Sequence, residues 1–472
     1  MANFETLPAQ LQAIIQLGML EREFEEGLDS VLAYRRLAGQ ETVPSRIGET
    51  LTRSRAGRKE PNIIPFNPAS NTGLDNGMTP SDAAMEQYQF SMFQYGDSTD
   101  VDVLSDLVTA ADQMVRVGRN NGVQAAQSLE RISRKRLFAS YNGGNTYVRT
   151  DLGASSSTTC YVDDISGFTT VLVNGVPTGI SGANPLTVYD TVLSTGAQQV
   201  LTVTGATPTA TNHSQRPDGI SGQLTFLSAT APTNGDQMVA NNAPLIIRPQ
   251  GHLTTAQLTG ADTLTLGYLL DAATLLKNNG VPRMADGTYH VILDNTSERQ
   301  LFADQDFKMF YAGRDQSSAY RMGQLHTDVV LGLTFIPTTE SYVQLAGQMM
   351  NGTDSKGNPQ FTTSTATGSA AVNVNVRRVL VSGAESLIQG DFQGLETWLA
   401  RQGVNPIADV RLVNNIAHVV RPPLDRLSQF LSMSWTWIGD FAVPTDITAT
   451  TLIIPTASNA LFKRAVVIET AG

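Results

Sequence analysis

Tyr88-Gln-Phe-Ser-Met-Phe-Gln-Tyr-Gly-Asp-Ser-Thr-Asp100 alternates apolar and polar residues at Tyr88, Phe90 and Met92 and then turns polar. A long helical run follows and ends at Ser140-Tyr-Asn-Gly-Gly144. Period-two alternation reads as an extended strand and period 3.6 as a helix. The stretch from Ile63 to Met92 is rich in turn residues, so a ribbon built from it has too little apolar surface to stand alone. It is expected to lie on a neighbouring subunit.

Around this stretch, the preceding residues Leu17, Leu20, Phe24, Leu28 and Val31 recur at steps of three and four. They predict an amphipathic helix between Pro8 and Ala38, with Glu21, Glu23, Glu25 and Glu26 near its middle. A short basic cluster, Arg53, Arg55, Arg58 and Lys59, comes next. It reads either as a solvated turn or as an arm that pairs with an acidic neighbour or faces DNA. Reciprocal pairing of Glu21 and Glu25 on one copy with the basic cluster of another is the sharper expectation. Downstream, Leu104, Leu107, Val108, Ala111 and Val115 mark one helical face. Ala125, Leu129 and Ile132 mark another beyond an interruption at Gly118–Gly122, and Arg131, Arg134, Lys135 and Arg136 sit late enough to complement the helix dipole.

Composition shifts after Thr150. From 151 to 247 there is no lysine and one arginine, Arg216, amid Thr, Ser, Gly and Val. Strand-like runs at Thr169–Val173, Gln199–Thr204 and Gly222–Leu227, with Asn174-Gly and Asn234-Gly as hairpin turns, predict an inserted all-β domain. The pattern then alternates. A helix from Leu264 stops at Asn278-Asn-Gly-Val-Pro282, where Gly280 suits a left-handed cap; strands are expected at Tyr289–Leu293, Val329–Ile336 and Arg377–Val381, with a helical turn at Ser297–Phe302.

The 472 residues suit two to four compact units. Only 16% are charged, and the net charge is −11. Uncharged polar residues take the place of the missing charges, which suits a surface buried against copies of itself. An acidic chain does not advertise nucleic-acid binding. Cys160 is the only cysteine, which rules out an internal disulfide and a zinc ribbon. No apolar run is long enough to span a membrane, no signal pattern opens the chain, and no propeptide removal is expected.

No zinc-protease, phosphate-loop, dinucleotide or nucleophile-elbow motif occurs. His213, His252, His290, His326 and His418 lie far apart, and His290 reads as a sheet histidine in an apolar strand. Asp304-Gln-Asp306 near Asp294 could hold a cation through oxygen ligands, although a solvated acidic turn is the simpler reading. Trp435 and Trp437 share one strand face and read as core. No catalytic, cofactor-binding or metal residue is assigned.

Several segments, in this order, resemble those of the major capsid proteins of tailed bacteriophages with the Hong Kong 97-type fold. They are Asn278-Asn-Gly-Val-Pro282; Asp286-Gly-Thr-Tyr-His-Val-Ile-Leu293; Gly323-Gln-Leu-His-Thr-Asp-Val-Val-Leu-Gly-Leu-Thr-Phe-Ile-Pro-Thr-Thr-Glu340; Arg377-Arg-Val-Leu-Val-Ser-Gly383; Val420-Arg-Pro-Pro-Leu-Asp-Arg426; and Trp435-Thr-Trp437. Their order, rather than any one of them, carries the likeness, which fails across 151–247. It implies an α+β, Hong Kong 97-like capsid fold with a helical arm (1–59), an extended β-ribbon loop (60–100) and a spine helix of the peripheral domain (101–150). It further implies the inserted β-domain (151–247), a peripheral and axial α/β domain (248–400) and C-terminal strands completing the core (401–472).

It also implies self-assembly as hexamers and pentamers into an icosahedral head around double-stranded DNA. Assembly would take place in the host bacterial cytoplasm, with a portal protein, optional scaffold or cement proteins, no membrane and no cofactor. Arg53, Arg55, Arg58, Lys59, Tyr88, Phe90, Met92, Glu21 and Glu25 are the candidate inter-subunit contacts. The ribbon stretch from Glu60 to Val101 has no lysine, so a shell held without lysine cross-links is expected. The alternatives are an encapsulin-like compartment and, from a different class, a Thr/Ser-rich surface adhesin or carbohydrate-binding protein.

Overall fold

The computed structural model describes residues 19–29, 33–44, 50–56, 65, 85–102, 113–153, 155–173, 176–216, 218–229, 232–241, 243–312, 329–356, 358–362, 372–392, 409–421, 429–444 and 464–472. They fall into two compact units, one within Met1–Thr52, Gln89–Arg136 and Leu387–Ala442, the other within Arg53–Tyr88, Leu137–Ser386 and Val443–Gly472.

In the first unit, Phe430–Ala442 alternates exposed or half-buried with buried residues up to Trp437, so one face of the strand is core. It pairs antiparallel with Ile416–Arg421, with Leu387–Phe392 and, over ten residue pairs, with Phe93–Asp102. Asp409–Val413 extends the sheet through a two-residue hairpin in which Asn414 and Asn415 both have positive φ. Ala38–Val43 adds to Leu387–Phe392 in parallel. The polar stretch Phe93–Asp100 therefore lies on this chain's own strand. Of the rest, Thr50–Ala56 and Met85–Ser91 form a two-stranded sheet, and 66–84 lie outside the described residues.

The N-terminal helix spans Met19–Asp29 and buries Leu20, Phe24 and Leu28, one stripe at steps of four. By Ala38 the chain is already a strand, so the expected helix to Ala38 is too long; Leu17 and Val31 lie outside the described residues. The long helix runs unbroken over Gln113–Tyr141, and Gly118 and Gly122 do not interrupt it. A Cβ on Gly122 would collide with the backbone of Phe24, and one on Gly27 would lie 2.6 Å from the Arg119 carbonyl oxygen. The two glycines are the means by which two helix backbones approach closely. The helix carries no basic residue in its last turn, so the expected dipole pairing by Arg131 to Arg136 is also corrected. Leu104, Leu107, Val108 and Ala111 lie outside the described residues.

The second unit contains a mixed sheet in the order Ile246–Ile247, Ala465–Ala471, Val376–Ser382, Tyr289–Asp294, Leu333–Thr338, Val329–Val330. Helix Leu266–Asn278 packs on it through Leu266, Leu269, Ala273 and Leu276. The helix ends with Gly280 at φ +61°, where the N–H of Gly280 donates to the Lys277 carbonyl and that of Val281 to the Leu276 carbonyl. That is the Schellman pattern. Asp294 caps the next helix, Asn295–Ala303. The run Val329–Ile336 is a hairpin rather than one strand, turning at Leu331 and Gly332, both with positive φ.

The Thr-rich segment of this unit is a closed antiparallel barrel. Its order is Asn145–Tyr147, Gln237–Ala240, Leu186–Thr191, Gln198–Pro208, Gly222–Phe226, Thr159–Val162, and the Val148–Val162 bridge joins last to first. Closure removes the sheet edges. Val148, Val162, Val188, Leu201, Val203 and Leu224 are among the residues filling it. The barrel begins before residue 151, and Ile246–Ile247 already belong to the mixed sheet. Asn174-Gly joins two paired strands, whereas Asn234-Gly is a turn between strands that are not neighbours. The barrel carries buried ion pairs, Arg149–Asp163 at 2.9 Å and Arg216–Asp164 at 2.8 Å. Gln215 links it to the rest of the unit, accepting from the Tyr147 hydroxyl at 2.5 Å and from the Val372 N–H at 3.3 Å.

Candidate functional site

The surface on which a ribbon and an arm could act is set by how the first unit holds the long helix. Along that helix Asn121 accepts from the Thr99 hydroxyl at 3.1 Å, Gln124 donates to Asp97, and the Arg136 guanidinium lies 3.2 Å from Asp440. Asp440 also accepts the Ser91 N–H at 3.0 Å, which pins the chain as it enters Phe93–Asp102. On the sheet, Tyr95 stacks on Trp437 with centroids 5.8 Å apart, and the indole N–H of Trp437 donates to Asp391 at 3.1 Å. The ribbon base is thereby fixed by hydrogen bonds and aromatic contact, beside an apolar cluster that includes Val101, Leu431 and Met433.

The strongest joint is one the sequence reading missed. Glu130, fully buried, accepts the backbone N–H groups of Ala33, Tyr34 (2.9 Å) and Arg35 (3.4 Å). Burial pushes its carboxyl up to about 7, against the pull of those three N–H groups and of the Arg35 charge. Its sequence signal is a carboxylate in helical step with buried Ala126, Ser133 and Leu137. On the other side of the arm, His418 stacks on Phe24 with centroids 4.7 Å apart. Burial first, then the nearby Arg411 charge, pushes its imidazole down to about 4.

The candidate contact residues do not form one cluster. Glu21 pairs with Arg411 of its own chain at 2.5 Å and stays partly exposed. Glu25 is exposed and Arg53 is exposed. Arg55 lies in the strand Thr50–Ala56, while Arg58 and Lys59 lie outside the described residues. Tyr88 and Met92 are half-buried. Phe90 is fully buried, in contact range of Gly390, so it cannot meet a neighbouring subunit. Phe93 and Phe430, at opposite ends of one ladder, are the large apolar residues this unit leaves half-exposed among those described.

Among the described residues no catalytic cluster emerges. Among the described residues no three His, Cys, Asp or Glu side chains converge to hold a metal. His290 is bound by Asp286 at 2.8 Å on a partly exposed face rather than in the core, and Cys160 is buried with its thiol pushed up to about 12. Asp294 is spent on a helix cap and on Arg377, and Asp304 accepts the Leu266 N–H. No described helix is long and apolar enough to cross a membrane.

No protein-family description matches the chain, and none of the curated proteins does. Among solved structures the chain is similar to the capsid of Ralstonia phage GP4, with 11% identity, 92% of this chain and 87% of that chain covered, and a TM-score of 0.45. It is also similar to the cyanophage Pam1 capsid (10% identity, 90% and 86% covered, TM-score 0.43). A third is the capsid of the cyanophage P-SCSP1u (11% identity, 92% and 87% covered, TM-score 0.41). At these values the functional reading rests on the chain's own residues; each of these three neighbours is a phage capsid structure.

Proposed function

We propose that this chain is a structural, shell-forming coat subunit, the major capsid protein of a tailed phage. The observation that carries the reading is the order in which a thin sheet, a strand ladder and a long helix follow one another along the chain. A 29-residue helix is hydrogen-bonded to a strand ladder, and from that ladder the chain leads back into a thin two-stranded sheet. A solitary globule gains little from such a sheet, because a two-stranded sheet is marginal in water by itself. A subunit that lies on copies of itself gains contact area at every symmetry-related position.

Hexamers and pentamers closing into an icosahedral head around double-stranded DNA are the finer form of this proposal, with the arm and ribbon as the contacts. The low charge content and net charge of −11 suit a wall that encloses DNA without gripping its sequence. A permanent assembly of this kind buries on the order of 2,000 Å² or more per subunit. The test is size-exclusion chromatography followed by negative-stain microscopy of the expressed chain with its partner phage proteins. Closed shells support the reading; a stable monomer in every condition overturns it.

A further inference from the structure

The strands of the barrel and their connections keep charge away from water. Between residues 152 and 240 the charged residues are Asp163, Asp164, Asp190, Arg216, Asp218 and Asp236. All are buried except Asp218, which is half-buried. The surface of a soluble domain ordinarily carries roughly 25–35% charged residues. The exposed surface of this stretch carries none, so contact with water does not account for its composition. Depletion of charge of this kind marks the centre of protein interfaces.

Within that surface three adjacent strands present an apolar patch. Along Gln198–Pro208, Leu201 and Val203 are buried, so Val200 and Thr202 point the other way, to the outside. The Leu227 N–H donates to the Thr202 carbonyl at 2.8 Å, which places Leu227 beside Thr202 at the end of the next strand. On the opposite flank Tyr189 is the directly opposed partner of Val200, and its hydroxyl donates to Asn241 at 3.2 Å. Val200 and Leu227 are each 67% exposed, although apolar side chains of this size gain by leaving water.

We propose that this flank of the barrel is a contact between two copies of this chain, packed face to face about a two-fold axis. The proposal rests on the coat-subunit reading for the crowding that brings copies together. Charge decides the occupant. Each copy carries a net charge of −11, so copies repel one another except where a surface without charge lets them meet. DNA or an anionic membrane would be met by lysine and arginine, and this stretch exposes neither. A two-fold contact sets Val200 and Leu227 of one copy against the same face of the other and takes both out of water.

The test treats the full-length Val200→Cys chain with a short bismaleimide linker and reads covalent dimers on denaturing gels. Cys160 is buried, so the introduced thiol is the one that reacts. Linking is carried out on the concentrated soluble chain and on assembled particles, which are counted separately by negative-stain microscopy. Dimers are expected in at least one of these states. Leu227→Asp, added to Val200→Cys, sets carboxylates near one another across the contact and is expected to lower the dimer yield about fivefold or more. Both positions are exposed, so subunit melting is expected to stay unchanged. Dimers in neither state overturn the proposal whether or not particles form, whereas missing particles alone count against the coat-subunit reading. An unchanged yield with Leu227→Asp means that linking reports chance collision, and it overturns the proposal too. Linking only to a different phage protein assigns the flank to that partner and overturns it as well.

Discussion

The carboxylate of Glu130, in the middle of the long helix, accepts the backbone N–H of Tyr34 at 2.9 Å, a contact spanning 96 residues of chain. It ties the segment after the N-terminal helix to the helix that organises the first unit.

Glu130→Ala leaves three backbone N–H groups without this acceptor and is expected to cost about 3 kcal/mol of stability in urea unfolding. The pH dependence has a definite sign. The carboxyl is raised from 4.5 to about 7 in the folded chain, so folding takes up a proton between those values. Its contribution is complete below about 4.5 and is lost as pH rises through 7. Glu130→Gln should flatten that window; a variant with the wild-type slope would assign the slope to another group.

Gly122→Ala is expected to lower stability by about 1–3 kcal/mol, because the new methyl meets the Phe24 backbone, which cannot step aside like a flexible side chain. Limited proteolysis should then cut the N-terminal helix faster than in the parent. Equal cutting rates would show that the helices separate without consequence.

Glu469, fully buried, bonds Arg248 at 2.8 Å and Arg378 at 3.0 Å, and those guanidinium groups hold its carboxyl well below the usual range despite burial. Glu469→Ala strands two cations in the interior and is expected to cost about 3–5 kcal/mol. The depressed carboxyl contributes stability above its unfolded value, and this is lost as pH falls below about 4.5. Acid unfolding monitored by circular dichroism checks this against the parent chain.

Reversing Arg53, Arg55 and Arg58 to Glu is expected to reduce the yield of closed shells while leaving subunit melting unchanged. Glu21→Arg is expected to act differently, lowering subunit melting because it opposes Arg411 within the chain. Shells that form normally but package DNA poorly would place the basic cluster against the genome. No change in either property would leave it a solvated turn.

Deleting 68–84 with a Gly-Ser joint should leave a folded subunit that does not close shells. The deletion spares Met85–Ser91 and Phe93–Asp102, which are tied to this chain's own framework. Normal particles on negative-stain grids would remove the ribbon from the assembly mechanism.

What the sequence determined by itself is what depends on neighbours a few residues away. The helix ending at Gly280 and the strands at Tyr289–Asp294 and Val376–Ser382 were legible from periodicity and from the conformations that glycine permits. The β-rich character of the Thr-rich segment was legible in the same way. Only the tertiary structure decided that Phe93–Asp102 lies on Phe430–Ala442 and that Phe90 is sealed inside. It also decided that the barrel closes at Val148–Val162. Gly122 reads locally as a helix breaker, yet it is where two backbones meet. Glu130 and Glu469 are each buried against partners far along the chain. Local conformation follows from short-range sterics, whereas a buried charge is tolerable only where folding brings distant donors or cations within bonding distance, and local spacing does not encode that meeting.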